Sequence, residues 1–121
     1  KKNFVWRNSN SMGYKRKEVK EHLDKVSQLV CLVCKTPFVT LHHIRPKGTG
    51  IGRRTNDWSV VPLCYEHHQG QSGIHHNKTI FESKYGKEIK LLERVIRVIY
   101  KNDWKRIWEE KISSQFLIKR Y

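Results

Sequence analysis

Histidine and cysteine side chains are concentrated in one part of this sequence. Six of the seven histidines and all three cysteines lie between residues 31 and 76. Imidazole nitrogen and thiolate sulfur are ligands that Zn²⁺ and related ions prefer in proteins. These side chains exceed what one tetrahedral ion can use, so the sequence predicts two metal sites. The residues concerned are Cys31, Cys34, His42, His43, Cys64, His67, His68, His75 and His76.

The cysteines indicate a closed structural zinc site. Cys31 and Cys34 are separated by two residues, and Cys64 precedes His67 by the same interval. An odd number of cysteines argues against a disulfide framework, and the chain lacks the strand and helix repeat of a thioredoxin-like redox protein. We expect these four side chains to bind structural Zn²⁺, because four sulfur and nitrogen ligands complete a tetrahedral shell and supplement a small core.

The remaining histidines predict a second, open metal site. On a helix, His68 is rotated by about 100° from the preceding zinc ligand and faces elsewhere. We expect His42, His68 and His75 to bind a divalent ion that keeps positions for water and phosphate oxygen, with His76 as the alternative to His75. His43 is then available as a general base. Neighbouring residues of a regular strand face opposite ways, so His42 and His43 share a site only if the strand ends or bends there.

The flanking sequence must position these ligands, and its hydrophobic pattern predicts an α+β scaffold in which helices dominate. Apolar residues recur at helical spacing over residues 14–30. β-branched and apolar runs predict strands over 38–44 and 58–63, joined by a Gly-rich basic loop over 45–56. A short helix is expected to start at Cys64. The predicted ligands therefore fall on a strand pair and on the helix that follows it.

The C-terminal part of the chain is predicted to be helical and to contribute packing. Thr79 and Glu82 have the spacing of a capping box, which marks a helix start. Another helix is expected over 87–100 after a break at Gly86, and a last one contains Trp104. These helices would cover the strand pair.

The charge balance indicates a polyanionic partner. The chain has 121 residues with 25 Lys and Arg against 11 Asp and Glu, a formal net charge of +14 at pH 7. Such an excess attracts nucleic acid, because each contact between a basic side chain and a phosphate releases counterions. Four basic side chains of the Gly-rich loop are expected to contact a nucleic-acid backbone: Arg45, Lys47, Arg53 and Arg54.

Length and composition exclude several classes of protein. No window approaches the about 18 to 20 apolar residues of a membrane span, and the loop glycines match neither a P-loop nor a Rossmann fingerprint, so no membrane partner and no organic cofactor are expected. Residues 1–11 have no signal-peptide core, and we expect a cytoplasmic, intracellular protein. We divide the chain into a basic N-terminal arm, residues 1–12, and one domain, residues 13–121, with its core over 31–76 and C-terminal helices over 79–121.

The stretch that holds the predicted ligands resembles a known nuclease family. Leu41-His42-His43-Ile44, the Gly-rich basic loop and Cys64-Tyr65-Glu66-His67-His68 are similar to the HNH branch of the His-Me finger (ββα-metal) endonucleases, in its zinc-knuckle version. The likeness covers residues 31–76. Within it, residues 50–75 are most similar to phage recombination-associated nucleases of the Ref type. The resemblance implies a ββα-metal finger with a structural zinc knuckle, flanked by helices, that cleaves DNA.

The resemblance also implies roles for individual residues. His42 and His68 bind the catalytic ion, and His43 activates the attacking water. The ion is expected to be Mg²⁺ or Mn²⁺, with Ni²⁺ or Zn²⁺ as alternatives, since imidazoles suit the later metals while water and phosphate oxygens could complete a Mg²⁺ shell. Three residues compete for the family's middle position, which orients the base: Asn56, our first choice, Asp57 and Ser59.

Together these observations predict a metal-dependent endonuclease that hydrolyses DNA phosphodiester bonds in phage or mobile-element DNA. Two other classes stay open. A non-catalytic, zinc-stapled DNA-binding module would explain the cysteines and the charge but leave four histidines without a role. A hydrolase of small phosphates would explain the histidines but not the net charge of +14.

Overall fold

The computed structural model describes residues 16–45 and 56–113. In them a two-stranded antiparallel sheet packs among helices, an α+β arrangement as predicted. A 3-10 turn, Lys101–Asp103, joins the last two helices, and the final helix continues as a π-helical turn, Trp108–Ile112. The elements in chain order are α1 Lys17–Ser27, β1 Thr40–His43, β2 Val60–Leu63, α2 Tyr65–His68, α3 Lys78–Tyr85, α4 Glu88–Tyr100 and α5 Trp104–Ile107.

The strand pair has a register that places the histidines at its end. Thr40 pairs with Leu63, and His43 pairs with Val60. Strand β2 is buried along its whole length, whereas His42 is the buried residue of β1. Both strands are shorter than predicted. Because β1 ends at His43, the strand meets the condition under which two neighbouring histidines can serve one site.

The hydrophobic core lies between β2 and the two long helices. Helices α1 and α4 both contact β2 and each other. Leu23 and Val26 of α1 and Leu92 and Ile96 of α4 are at most 1% exposed, as their helical spacing predicts, and each such side chain contributes about 1.5–3 kcal/mol on burial. Val30, which continues the same spacing, lies beyond the end of α1 and is 41% exposed. The helix therefore ends earlier than the apolar pattern.

Helix α3 begins next to Thr79, as predicted, but its cap differs from the prediction. The cap is Asn77, whose Oδ1 accepts the backbone N–H of Ile80 at 3.0 Å. The capping box expected of Thr79 and Glu82 is wrong, because the Glu82 carboxylate instead accepts the backbone N–H of Glu88 at 2.9 Å. That bond satisfies an unpaired amide in the first turn of α4 and ties Glu88 to α3.

No helix within residues 16–45 and 56–113 is long and apolar enough to cross a membrane.

Candidate functional site

The three cysteines and His67 come together where the segment before β1 meets the segment after β2. Cys34 Sγ lies 3.7 Å from Cys64 Sγ, and His67 Nδ1 lies 3.2 Å from Cys64 Sγ and 3.9 Å from Cys31 Sγ. Tetrahedral zinc places two sulfurs about 3.8 Å apart and a sulfur and a nitrogen about 3.6 Å apart. The four ligand atoms all lie within 4.8 Å of one another, so this Cys₃His group could hold a metal ion such as zinc.

A tight turn presents the first two sulfurs. The N–H of Cys31 donates to the carbonyl of Thr36 at 2.9 Å, and the N–H of Lys35 donates to the carbonyl of Cys31 at 3.0 Å. Lys35 has φ +68°, a left-handed conformation that costs a non-glycine residue about 1–2 kcal/mol. The Val33 N–H lies 3.4 Å from Cys31 Sγ. Backbone bonds on both sides therefore hold the turn in its strained shape.

The chemistry of the sulfurs also fits a cation. All three cysteines are free thiols. Burial raises the pKa of the Cys64 thiol, and the nearby sulfurs of Cys34 and Cys31 raise it further. Burial also acts to raise the pKa of Cys31, but backbone N–H groups, first that of Cys34, lower it below its ordinary value overall. Sulfurs this close repel one another when ionised, and a bound cation would remove that repulsion.

Three histidines form a second group beside the strand pair. They are His42 of β1, His68 at the end of α2, and His75 in the following loop. Their ring centroids are 4.8–5.0 Å apart, and the Nε2 atoms of His68 and His75 are separated by 3.1 Å. Two nitrogen ligands of one ion lie about 3.0–3.4 Å apart. The structure thus brings together the three predicted ligands of the open site, and we call them the three-histidine group.

The hydrogen bonds of Thr40 determine the tautomer of His68. The Thr40 hydroxyl donates to the carbonyl of Leu63 at 2.8 Å, so its oxygen accepts from His68 Nδ1 at 2.8 Å. The proton of His68 therefore lies on Nδ1, and its Nε2 keeps the lone pair that faces His75.

Glu88 determines the tautomer of His42 in the same way. His42 Nε2 lies 2.7 Å from Glu88 Oε2, and Lys78 Nζ lies 3.1 Å from Glu88 Oε1. Burial acts to raise the pKa of the Glu88 carboxyl, but His42 and Lys78 together outweigh it and lower that pKa. An ionised carboxylate only accepts, so His42 carries its proton on Nε2. Its buried Nδ1 has no hydrogen-bond partner among the described residues, which suits a metal ligand.

The surroundings of His68 and His75 favour the neutral form of both rings. Burial lowers the pKa of His68 to about 4, and the nearby rings of His42 and His75 add to the effect. Burial, followed by the influence of His42, also lowers the pKa of His75. A neutral imidazole with an unpaired nitrogen lone pair is the state that binds a metal ion.

The loop after α2 delivers His75 to the group. It folds back over the end of α2, where the N–H of His75 donates to the carbonyl of His68 at 3.1 Å. At Gly73 a Cβ would lie 2.7 Å from the backbone carbon and oxygen of His68, so only glycine allows this approach. His76 is exposed and lies outside the group. Of the two candidates for the third ligand, the structure therefore brings His75 into place.

His43, the last residue of β1, is paired with Asp57. Its Nε2 lies 2.9 Å from Asp57 Oδ1, and the two side chains are 37% and 24% exposed. The carboxylate holds the proton on Nε2, which leaves the lone pair on Nδ1. His43 is close enough to His68 to contribute to the lowered pKa of that ring. A half-exposed, oriented imidazole beside three metal-capable rings can accept a proton from water.

Asn56, the first choice for the residue that orients the base, makes other contacts. Its Nδ2 donates to the carbonyl of Lys111 at 2.6 Å, and its Oδ1 accepts the N–H of Trp58 at 3.0 Å. Ser59 is 1% exposed, and its hydroxyl has no partner among the described residues. The residue that the structure brings to His43 is Asp57, one of the two alternatives.

Sequence reasoning missed two contacts of this site. Thr40 and His42 are two residues apart on β1 and therefore lie on the same face, a spacing that could have identified Thr40 as a partner of the group. Glu88 follows His42 by 46 residues and belongs to no motif, so only the fold reveals its contact.

The basic residues expected to contact nucleic acid are covered only in part. Arg45 is exposed at the end of the described segment after β1. Lys47, Arg53 and Arg54, together with the predicted arm over residues 1–12, lie outside the described residues. Their contacts with a phosphate backbone stay a prediction.

Comparisons with known proteins place the chain in a family. A family model described as "Protein of unknown function (DUF968)" matches residues 13–101. "Uncharacterized protein YdfU" of Escherichia coli (strain K12) is 34% identical over 84 residues, which cover 68% of this chain. The chain spans 23% of the length of that curated relative. No solved structure matches it. The family match includes the Cys₃His group, the three-histidine group and His43, and the chain therefore belongs to the DUF968 family.

Proposed function

We propose that this chain is a metal-dependent endonuclease that hydrolyses DNA phosphodiester bonds. The observation that carries the proposal is the position of the His43–Asp57 pair at the end of the strand that also supplies His42 to the three-histidine group. A group of three metal-capable nitrogens next to an oriented base is an arrangement that can hydrolyse a phosphodiester.

The three-histidine group would hold the catalytic ion through His42 Nδ1 and the Nε2 atoms of His68 and His75. When bound, the ion supplies positive charge toward the phosphate and makes water more acidic. Three protein ligands leave positions for substrate, whereas the Cys₃His group provides a full set of four. Imidazole ligands favour Mn²⁺, Ni²⁺ or Zn²⁺, and Mg²⁺ would depend on oxygen ligands from water and phosphate.

His43 acts as the general base. Its Nδ1 accepts the proton of the attacking water, while Asp57 receives the Nε2 hydrogen bond and stabilises the positive charge that develops on the ring. By resemblance to the HNH nucleases, the water oxygen bonds to phosphorus as the P–O3′ bond breaks and the 3′ oxygen takes a proton from solvent, so the products carry a 5′ phosphate and a 3′ hydroxyl.

The charge of the chain supports nucleic acid as the substrate. A net charge of +14 favours a polyanion over a small phosphate ester. Resemblance to the HNH family supports DNA, and phage or mobile-element DNA processed in the cytoplasm is the corresponding setting. The non-catalytic binding module is the second candidate, favoured by the Cys₃His group and the charge, but it gives no role to the three-histidine group or to His43.

The test is plasmid cleavage by the parent protein and by His43→Ala in Mg²⁺, Mn²⁺, Ni²⁺ and Zn²⁺. We expect His43→Ala to lower the cleavage rate by about 10²–10⁴-fold while DNA affinity, measured by fluorescence anisotropy, is retained. His76→Ala is the matched control, because His76 is exposed and outside the three-histidine group.

Each result has a distinct meaning. A parent protein that binds DNA but cleaves it with none of these ions would establish the binding module instead. Equal cleavage by the parent and His43→Ala would remove His43 as the base.

A further inference from the structure

We propose that Glu88, the first residue of α4, is a positioning residue for the metal ligand His42, and that Lys78 of α3 holds the Glu88 carboxylate in place. The proposal rests on the metal centre of the proposed function. It extends that centre beyond the stretch of residues 31–76 that resembles the nuclease family, into two helices whose sequence predicted packing alone.

The first step is the contact between Glu88 and His42. The 2.7 Å hydrogen bond joins two side chains that are 11% and 5% exposed, so water competes little for it. The bond restricts rotation of the His42 ring and keeps its proton on Nε2. The opposite tautomer would present an N–H to the ion, because His42 contributes the buried Nδ1 to the group.

The second step is the support of Glu88 itself. Its Oε2 meets His42, its Oε1 meets Lys78 Nζ at 3.1 Å, and its backbone N–H donates to Glu82 at 2.9 Å. His42 therefore holds one carboxylate oxygen, and residues of α3 hold the other oxygen and the backbone N–H. A carboxylate held through both oxygens, on a residue whose backbone is also held, can fix the imidazole that it contacts.

The third step is the contrast with a purely structural pair. Burying a carboxylate is costly, and apolar side chains of similar volume commonly replace buried ion pairs without loss of stability. A carboxylate hydrogen-bonded to a metal-binding imidazole, in contrast, orients the ring and makes its free nitrogen a stronger ligand. The position of Glu88 behind His42 fits the second role.

The experiment measures the affinity of the protein for Mn²⁺ alone, by electron paramagnetic resonance of the free ion, in the full chain loaded with one equivalent of zinc. We expect Glu88→Ala to weaken Mn²⁺ binding by about 10–100-fold, the usual loss for such partners of a metal ligand. Glu88→Gln, which keeps a hydrogen-bond acceptor but removes the charge, should fall between Glu88→Ala and the parent, and Lys78→Met should weaken binding less than Glu88→Ala.

Glu93→Gln is the matched control. It removes a carboxylate charge from the same helix. Glu93 pairs with Arg97, at a distance of 3.0 Å, and is not a member or partner of the three-histidine group. Its Mn²⁺ affinity should equal that of the parent. Melting temperature and zinc content are measured for every variant, so that a change in Mn²⁺ affinity at unchanged stability separates positioning from folding.

Parent-like Mn²⁺ affinity in Glu88→Gln and Glu88→Ala overturns the proposal. If Glu88→Ala does not fold, parent-like affinity in both Glu88→Gln and Lys78→Met overturns it equally. A parent protein that binds no Mn²⁺ overturns the proposal for Glu88, whereas the proposed function is overturned only if plasmid cleavage also fails in Mg²⁺, Mn²⁺, Ni²⁺ and Zn²⁺. Glu88-dependent Mn²⁺ binding without DNA cleavage supports the role of Glu88 and overturns only the nuclease.

Discussion

The Cys₃His group and the three-histidine group share helix α2 but differ in how their ligands are held. In the first, a backbone turn and the start of α2 present three sulfurs and His67, and the set of four is complete. In the second, the ligands come from β1, α2 and a loop, and side chains outside the group orient two of the rings. Local backbone geometry presents the ligands of each half of the closed group, whereas side chains from other elements orient rings of the open one.

The two groups would also treat the charge of an ion differently. Three thiolates more than neutralise a divalent cation, while three neutral imidazoles leave its charge undiminished. The lowered pKa values of His68 and His75 keep these rings neutral. Only the three-histidine group would therefore direct a strong positive charge toward a bound phosphate.

The largest expected effect comes from Cys64→Ser. Structural zinc in small domains contributes apparent free energies of about 10–16 kcal/mol, so loss of this ligand should remove the zinc and unfold the domain or lower its melting temperature by tens of degrees. Circular dichroism and elemental analysis measure both. His68→Ala, on the same short helix, should keep zinc and most of the stability but lose Mn²⁺ binding. An unchanged melting temperature in Cys64→Ser would end the distinction between the groups.

A smaller effect, on catalysis alone, is expected from Asp57→Ala. The variant leaves His43 without its carboxylate partner, so the cleavage rate should fall by about 10²-fold, the lower end for an oriented base. Mn²⁺ affinity should not change, because Asp57 is not a member of the three-histidine group.

Asn56→Ala is the comparison variant for Asp57→Ala. Removing the bond from Asn56 to the Lys111 carbonyl should cost about 1 kcal/mol of stability and leave the cleavage rate of the folded protein near that of the parent. If Asn56→Ala slowed cleavage more than Asp57→Ala, the middle position of the family pattern would belong to Asn56 after all.

The smallest effect is expected from Thr40→Val. The change keeps the shape of the side chain but removes the hydroxyl that accepts from His68 Nδ1. We expect Mn²⁺ affinity to fall by about tenfold or less, because a neutral acceptor orients the ring without adding charge. Thr79→Val, on the exposed surface of α3, is the control. A loss larger than that of Glu88→Ala would mean that orientation of His68 matters more than the charge behind His42.

Sequence spacing predicted the features of this molecule that depend on neighbouring residues. The spacing of three residues from Cys64 predicted that His67 joins the cysteines, and the helical rotation to the next residue predicted that His68 joins the other group. The structure agrees. The α+β class and the helical faces of α1 and α4 also followed from local periodicity.

Features that depend on the tertiary fold were beyond that reasoning. Asn56, Asp57 and Ser59 could each accept a hydrogen bond from the base. Only the path of the chain decides that Asp57 reaches His43. Glu82 had a suitable spacing for a capping box with Thr79, but the amide of α4 competes for its carboxylate and wins. The contact between Glu88 and His42 joins distant positions for which no local pattern exists.

Helix α2 is a single turn that carries His67 toward one group and His68 toward the other. Inserting or deleting one residue between Cys64 and His67 would rotate both histidines by about 100° relative to Cys64 and disrupt both groups at once. The number of residues from Cys64 to His68 is therefore fixed by both groups, and we expect changes of length to be tolerated less well in this interval than in the surrounding loops.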